Sequence, residues 1–375
     1  MQLSTRILLS ALLLGGCAKG GAGTLPGPDP TPTAPASVWR TPVVPGAIWG
    51  RFPAAESAGF RSSALDSATA YLRTLNTTGA IVTTYGRVLL EHGDVSEVSY
   101  LAGARIGVLS MLFGKYVDDG AIKLDATLAS MGIDDRLGLL ESEKRATVRH
   151  LLLARSGVFH PSSGTGDDLD QAPPRGTWAP GSYFLFNNWD FNALGAILEQ
   201  KTSRDIYDLF ENDLARPIGM EDFQRAVQRK TGETNRSMYL AAHFYLSTRD
   251  MARLGELMLR NGRWGDQQVI PASWVRQSTN PVTMSSEMNP PSAREYRQGF
   301  GYLWWTFEEP GGSLLNGAYA ARGAFGQYIV VIPRLDMVVA HKRTLRTGQS
   351  DPVTWPQFLE FLRQLMGARC TPACT

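Results

Sequence analysis

The stretch Thr147-Val-Arg-His-Leu-Leu-Leu-Ala-Arg-Ser-Gly157 has apolar residues at helical spacing and closes on a glycine, the pattern of a short helix running into a turn. Helical spacing recurs downstream over Phe191 to Lys201 and over Thr248 to Arg260, where Ser247-Thr248-Arg249-Asp250 offers capping chemistry. From about Leu124 to Met284 the chain therefore reads as helical, broken by Gly and Pro clusters. Upstream, Ser62 to Leu75 has helical spacing, and Gly79 to Leu90 reads as a hairpin turning at Tyr85-Gly86. Tyr100 to Val117 is a long apolar run with Leu109, Leu112, Phe113 and Tyr116 on one helical face, weakened slightly by Gly107. Strand character returns at Gly301 to Phe307, Gln327 to Ile332 and Met337 to His341, before an amphipathic helix over Trp355 to Met366. Strands at both ends around a helical middle imply an α/β domain, its sheet interrupted by an inserted helical domain.

The composition suits a chain with a sizeable core: 375 residues, 43% hydrophobic and 19% charged. The formal net charge of +2 comes from 37 basic and 35 acidic residues mixed along the sequence, which leaves no basic field for nucleic acid. Five histidines without ligand-like clustering, and no cysteine in the body of the chain, argue against a metal site, and no cofactor is expected.

The first 17 residues read as a targeting segment. Arg6 supplies the positive start, Ile7 to Leu14 an apolar run too short to span a bilayer, and Gly15-Gly16 precede Cys17. Leu14-Gly15-Gly16-Cys17 resembles a bacterial lipobox, which implies cleavage before Cys17, lipidation of its thiol and a periplasm-facing protein held to a membrane by its lipid. Ala18 stands where related lipoproteins place the Asp of an inner-membrane retention signal, which points to the outer membrane. Residues 18–50, crowded with Gly, Pro, Ala and Thr, read as a flexible tether. The body is expected over 51–368, its sheet part over about 51–123 and 297–368 and its helical part over about 124–296. A short tail, 369–375, holds Cys370 and Cys374, for which export makes a disulfide the expected state.

Several phrases occurring in a fixed order resemble the serine β-lactamase and penicillin-binding-protein family. They are Gly114 with Val117-Asp118-Asp119-Gly120, the Thr147 to Gly157 stretch, Pro217-Ile-Gly-Met220, Ser247-Thr-Arg-Asp-Met251, Gly299-Phe-Gly-Tyr302 and Gly326-Gln-Tyr-Ile-Val-Val-Ile-Pro333. The pattern is most similar to the class C branch, which includes esterases and amide hydrolases acting on nylon oligomers. In that family a Ser-x-x-Lys on one helix face supplies nucleophile and base.

Counting back from Gly114 and Gly120, those four positions are Gly103-Ala104-Arg105-Ile106, which hold neither a hydroxyl nor an amine. A slip of one residue gives Ala102 and Arg105, no better, since Arg stays protonated. Independently of alignment, none of the seven lysines has Ser three residues before it. The family's Tyr-x-Asn matches Phe186-Asn187-Asn188, keeping Asn188 and losing the phenol oxygen; Asn188 reads equally well as a cap for the following helix. The family's Lys-Thr-Gly falls at Ala321-Arg322-Gly323, losing the cation at Ala321. A literal Lys230-Thr231-Gly232 lies in the helical middle and reads as a surface coincidence.

The resemblance thus implies a serine-hydrolase fold whose catalytic positions Gly103, Ile106, Phe186 and Ala321 are degenerate. The expected role is binding of a small molecule, a peptide or a partner, with Arg105, Asn188, Arg322 and Gly323 as candidate binding residues. The alternative is an active hydrolase with a relocated nucleophile, for which Ser99 and Ser110 are the nearest candidates. Of the pair Trp304-Trp305, strand alternation points one ring into the core and one outward.

Overall fold

A computed structural model describes residues 39–164, 169–346, 351–370 and 374. The apolar stretches at the two ends of the chain meet in one antiparallel sheet. Its strands are β1 (Gly79–Thr84), β2 (Arg87–Gly93), β5 (Gln298–Phe300), β6 (Trp305–Phe307), β7 (Tyr319–Gly323), β8 (Gln327–Ile332) and β9 (Met337–Lys342), in the order β2-β1-β9-β8-β7-β6-β5. Two further strands, β3 (Arg229–Thr231) and β4 (Ala241–His243), pair apart from it.

Strands β1, β8 and β9 are buried along their whole length, because both faces of the sheet are covered. Alternation sorts their side chains. Ala80, Val82, Val330, Ile332, Met337 and Val339 share one apolar cluster with Leu65, Ala68 and Leu72 of α1 (Ser62–Thr74) and Phe358, Phe361 and Leu362 of α6 (Trp355–Gly367). Ile81, Ile329, Val331, Val338 and Ala340 join the other cluster. It contains Leu109 and Phe113 of α2 (Arg105–Asp118) and Leu254 and Leu257 of α5 (Thr248–Leu259). Each Val, Leu, Ile, Phe or Met among them contributes about 1.5–3 kcal/mol by leaving water, so these two layers hold the sheet between them.

The helical stretch that opened the sequence forms α3 (Val148–Leu152). Thr147 and His150 cap each other, the His150 amide donating to Thr147 Oγ1 at 3.3 Å and the Thr147 amide to His150 Nδ1 at 3.2 Å. Ser156 at its end donates to Asp190 Oδ1 at 2.6 Å, tying the turn to α4 (Asn188–Thr202).

Four expectations are corrected. The run from Tyr100 is not one helix: Ser99–Tyr100 is a strand, Ala102–Ala104 a tight 3₁₀ turn, and α2 begins only at Arg105. Ala102 takes a left-handed φ of 48° there, which breaks the helical path. Gly301 to Phe307 is not one strand, since the chain reverses between β5 and β6 with Leu303 at φ 64°. Tether behaviour does not extend to residue 50. Pro45 and Trp49 are buried, Val43 N–H donates to Tyr85 O at 3.1 Å, and the fully buried Arg253 donates to Gly46 O at 2.7 Å. Finally, the middle of the chain is not strand-free, as β3 and β4 show.

Cys370 and Cys374 are joined by a disulfide, with their Cα atoms 5.0 Å apart. Cys17 lies outside the described residues. Among the described residues no helix is long and apolar enough to cross a membrane.

Candidate functional site

The start of α2 lies against the end of β7, and the approach is close enough to involve glycine on both sides. A Cβ on Gly103 would stand 3.0 Å from Arg322 O, and one on Gly323 would stand 2.7 Å from Leu101 O. Gly107, one turn on, lets α2 press on the sheet, where a Cβ would meet that of Ala321 at 2.7 Å. Ala321 and Ile106 are both wholly buried. Ile106 belongs to the core beneath the site and does not line it. The position that would hold a base in the family is occupied by packing.

Above this junction lie two chambers that share Phe186, Ala324 and Phe325 as walls. The first, about 450 Å³, is lined by Gly103, Arg105, Asn188, Tyr100, Thr231 and His243 among others. The second, about 420 Å³, is lined by Arg322, Gly323 and the rings of Tyr296, Trp305, Tyr328 and Trp355. Phe325 divides them from a left-handed backbone position, φ 73°. The candidate binding residues are thus split: Arg105 and Asn188 belong to the first chamber, Arg322 and Gly323 to the second.

Arg105 is 4% exposed, and its Nη2 donates to Asn188 Oδ1 at 3.1 Å and to Asn192 Oδ1 at 2.8 Å, one helical turn further along α4. Asn188 is not the helix cap. Asn187 holds that role, accepting from Trp189 N–H at 2.9 Å and donating to Val158 O at 2.6 Å, which leaves Asn188 facing Arg105. The Phe186 ring stacks on Trp305 with centroids 5.9 Å apart and gives the cleft an apolar wall at the position matched to the family's Tyr. Trp304 is buried in the core and Trp305 is half-buried at the second chamber.

Two residues of the first chamber were not singled out by the sequence. His243 on β4 packs edge-on against Tyr100, centroids 5.0 Å apart. Burial, assisted by the positive charges of Arg105 and Arg229, pushes its pKa down to about 4, so the ring is neutral at neutral pH. Burial likewise raises the Tyr100 phenol above its ordinary value. The signal that was passed over is Lys230-Thr231-Gly232. It does not stand outside strand structure: Arg229–Thr231 is β3, and Thr231 and Gly232 line the first chamber. Lys230 does not reach a ligand there, since its Nζ is held by Glu199 at 2.5 and 2.7 Å.

The relocated-nucleophile candidates stand apart from these walls. Ser110 is fully buried and donates to Tyr302 O at 2.7 Å. Ser99 shares a hydrogen bond with Thr344 Oγ1 at 2.9 Å and opens into a separate groove with Gln327 and Tyr245. Ser163, which does line the first chamber, donates to Tyr239 O at 2.6 Å. Among the described residues no group of three His, Cys, Asp or Glu could hold a metal ion.

The sheet, the helices on its two faces and a cleft at the head of α2 define a serine β-lactamase-like architecture. The Beta-lactamase family model matches residues 80–352, and the chain belongs to that family. Solved structures share the fold at low identity. A penicillin-binding-protein homologue from Caulobacter crescentus is 14% identical with TM-score 0.57, over 80% of this chain and 97% of that one. The penicillin-binding protein from Bacillus halodurans is 14% identical with TM-score 0.57, over 80% and 99%. A Bacillus anthracis protein assigned as a 6-aminohexanoate-dimer hydrolase is 19% identical with TM-score 0.59, over 79% of each. No curated protein matches the sequence.

Proposed function

We propose that this member of the family has given up Ser-dependent hydrolysis and uses its cleft to bind a small molecule or a peptide, such as a peptidoglycan-like peptide. One observation carries the proposal: at the head of α2, Gly103 brings no nucleophile to the cleft and Ile106 is sealed in the core beneath it. Nucleophile and base act as a unit in such enzymes, and losing both removes many orders of magnitude of rate. What remains suits binding: a buried cation, Arg105, fixed by two Asn side chains, beside a neutral His243 and aromatic walls. The test is steady-state turnover of a chromogenic cephalosporin and of p-nitrophenyl acetate by the full chain. Turnover no faster than the uncatalysed rate supports the proposal, and protein-dependent turnover that a serine-directed fluorophosphonate abolishes overturns it.

We infer further that Cys17 anchors the protein to the outer membrane, facing the periplasm, with the cleft presented to envelope components. The support is the sequence Leu14-Gly15-Gly16-Cys17 and the composition that follows it. Mass spectrometry of the N-terminal peptide tests it: a diacylglyceryl mass on Cys17 is expected, and an unmodified thiol contradicts it.

A further inference from the structure

Three arginines from distant segments converge on one hollow at the end of the sheet away from the two chambers. Arg40 precedes the sheet, Arg334 sits in the turn Pro333–Leu335 between β8 and β9, and Arg369 follows α6; with Gly59, Tyr85 and Cys370 they line about 90 Å³. Backbone contacts hold them there. The Arg40 guanidinium lies over Gly59, where a Cβ would stand 2.6 Å from its Nη2, and Arg334 Nη1 donates to Ser313 O at 3.2 Å. Arg369 is bridged to Phe60, and the next residue, Cys370, donates its N–H to Gly59 O at 2.9 Å. Among the described residues none of the three arginines forms an ion pair. The carboxylates of adjoining segments are engaged elsewhere. Asp336 accepts from Arg260 at 2.5 and 2.6 Å, and Glu56 from the Ser62 amide and hydroxyl at 2.8 and 2.9 Å. Three cations left unneutralised at one opening repel one another, and an oxyanion held between them reverses the sign of that interaction.

Size and position choose the anion. The hollow is far smaller than either chamber and suits a single phosphate group, whose oxygens the guanidinium forks match. In β8, Gln327 pairs with Gly323 beside the chambers and Ile332 pairs with Met337 beside the arginines. The hollow and the chambers therefore stand at opposite ends of a six-residue strand, about 17–20 Å apart. The segment carrying Cys17 joins the described residues at Trp39, next to Arg40, and just beyond it Val44 and Ile48 stand exposed. Charge and apolar side chains together at the point where an anchor arrives suit a bilayer surface.

We propose that this face docks on the phosphate groups of anionic membrane lipids through Arg40, Arg334 and Arg369, turning the two chambers away from the bilayer. The proposal rests on the Cys17 anchor inferred above, which brings the face within reach of lipid. The test uses the full chain with Cys17→Ser, which takes no lipid, in flotation with vesicles of phosphatidylglycerol and of phosphatidylcholine. Binding to phosphatidylglycerol is expected to be at least about tenfold tighter. It should weaken at least about thirtyfold in the triple variant Arg40→Gln, Arg334→Gln, Arg369→Gln, since each arginine near such a surface is worth about fivefold. Changing the exposed Arg136, Arg145 and Arg276 to Gln alters the net charge equally and is expected to move binding by about twofold or less. Equal losses in the two triple variants overturn the proposal. Equal binding to both vesicles by the chain with its arginines intact overturns it even where a variant does not fold. Glycerol 1-phosphate, titrated into the same chain by calorimetry, separates the sources of phosphate: binding of this soluble ester without binding to phosphatidylglycerol vesicles assigns the hollow to a free phosphate and overturns the membrane surface. An unmodified Cys17 in the natural protein would overturn the anchor while leaving the vesicle preference standing; a lipidated Cys17 with no vesicle preference would overturn the docking face alone.

Discussion

Arg105 reaches from the first turn of α2 to Asn188 at the first turn of α4, Nη2 to Oδ1 at 3.1 Å, and so bridges the sheet-packed helix and the helical part of the chain. The bridge occupies the neighbourhood where relatives with an intact Ser-x-x-Lys keep a lysine. In this chain a guanidinium stands beside Ile106, and a group that stays protonated holds structure or ligand but abstracts no proton.

Replacing Arg105 by Met is expected to destabilise the fold by about 3 kcal/mol or more, since Asn188 and Asn192 would each lose a buried charged donor. Arg105→Lys should recover only part of this, because the shorter side chain holds its ammonium short of the place from which Nη2 reaches both oxygens. Urea denaturation at constant m-value measures both.

Ile106→Lys, the change that would reinstate an amine, is expected to cost about 3 kcal/mol or more at pH 7, because the side chain enters a wholly buried position. The loss should shrink as pH rises toward the ordinary lysine value, where the unfolded chain too becomes neutral. Thermal unfolding at several pH values follows it.

Gly107→Ala should destabilise by about 1–3 kcal/mol, although helix propensity alone favours alanine by about 1 kcal/mol. The added methyl would lie 2.7 Å from the Ala321 methyl and press α2 off β7. A variant as stable as the parent would contradict the close helix-to-sheet contact.

Lys342 supplies a pH signature. Its Nζ is buried, donating to Ser99 O at 2.8 Å and in a short bond to Leu246 O, and burial lowers its pKa to about 7. The folded value lies below the unfolded one, about 10.4, so this contribution to stability is complete above the unfolded value and is lost as pH falls toward 7. Stability is therefore expected to rise with pH above 7, with a slope of about 1.4 kcal/mol per unit from this group, and the slope should disappear in Lys342→Met. Chemical denaturation between neutral and mildly alkaline pH checks it.

Much of the fold was legible because its core strands obey simple rules. Between Gln327 and His341 the apolar runs Ile329 to Ile332 and Met337 to Ala340 are unbroken because both faces of the sheet are covered, and the hairpin at Tyr85-Gly86 announces itself by its turn. What was illegible depends on backbone geometry or on distant neighbours. Nothing in Tyr100-Leu101-Ala102-Gly103 announces a left-handed alanine that delays the helix to Arg105. Lys230-Thr231-Gly232 gains its place in the cleft only through pairing with Ala241–His243, ten or more residues away. Asn187 and Asn188 cannot be ranked as cap and cleft residue from sequence, since each side chain is equally able to cap. Arg322 was visible as a charge; its three-ring enclosure was not, because Tyr296, Trp305 and Trp355 come from separate segments.

The central claim is the loss of serine chemistry, and intact-mass measurement of the purified full chain after incubation with a fluorescent penicillin and with a fluorophosphonate tests it most directly. The predicted result is an unchanged mass with both reagents. An acyl or phosphonyl adduct, mapped to a single serine and lost when that serine is changed to alanine, would contradict it.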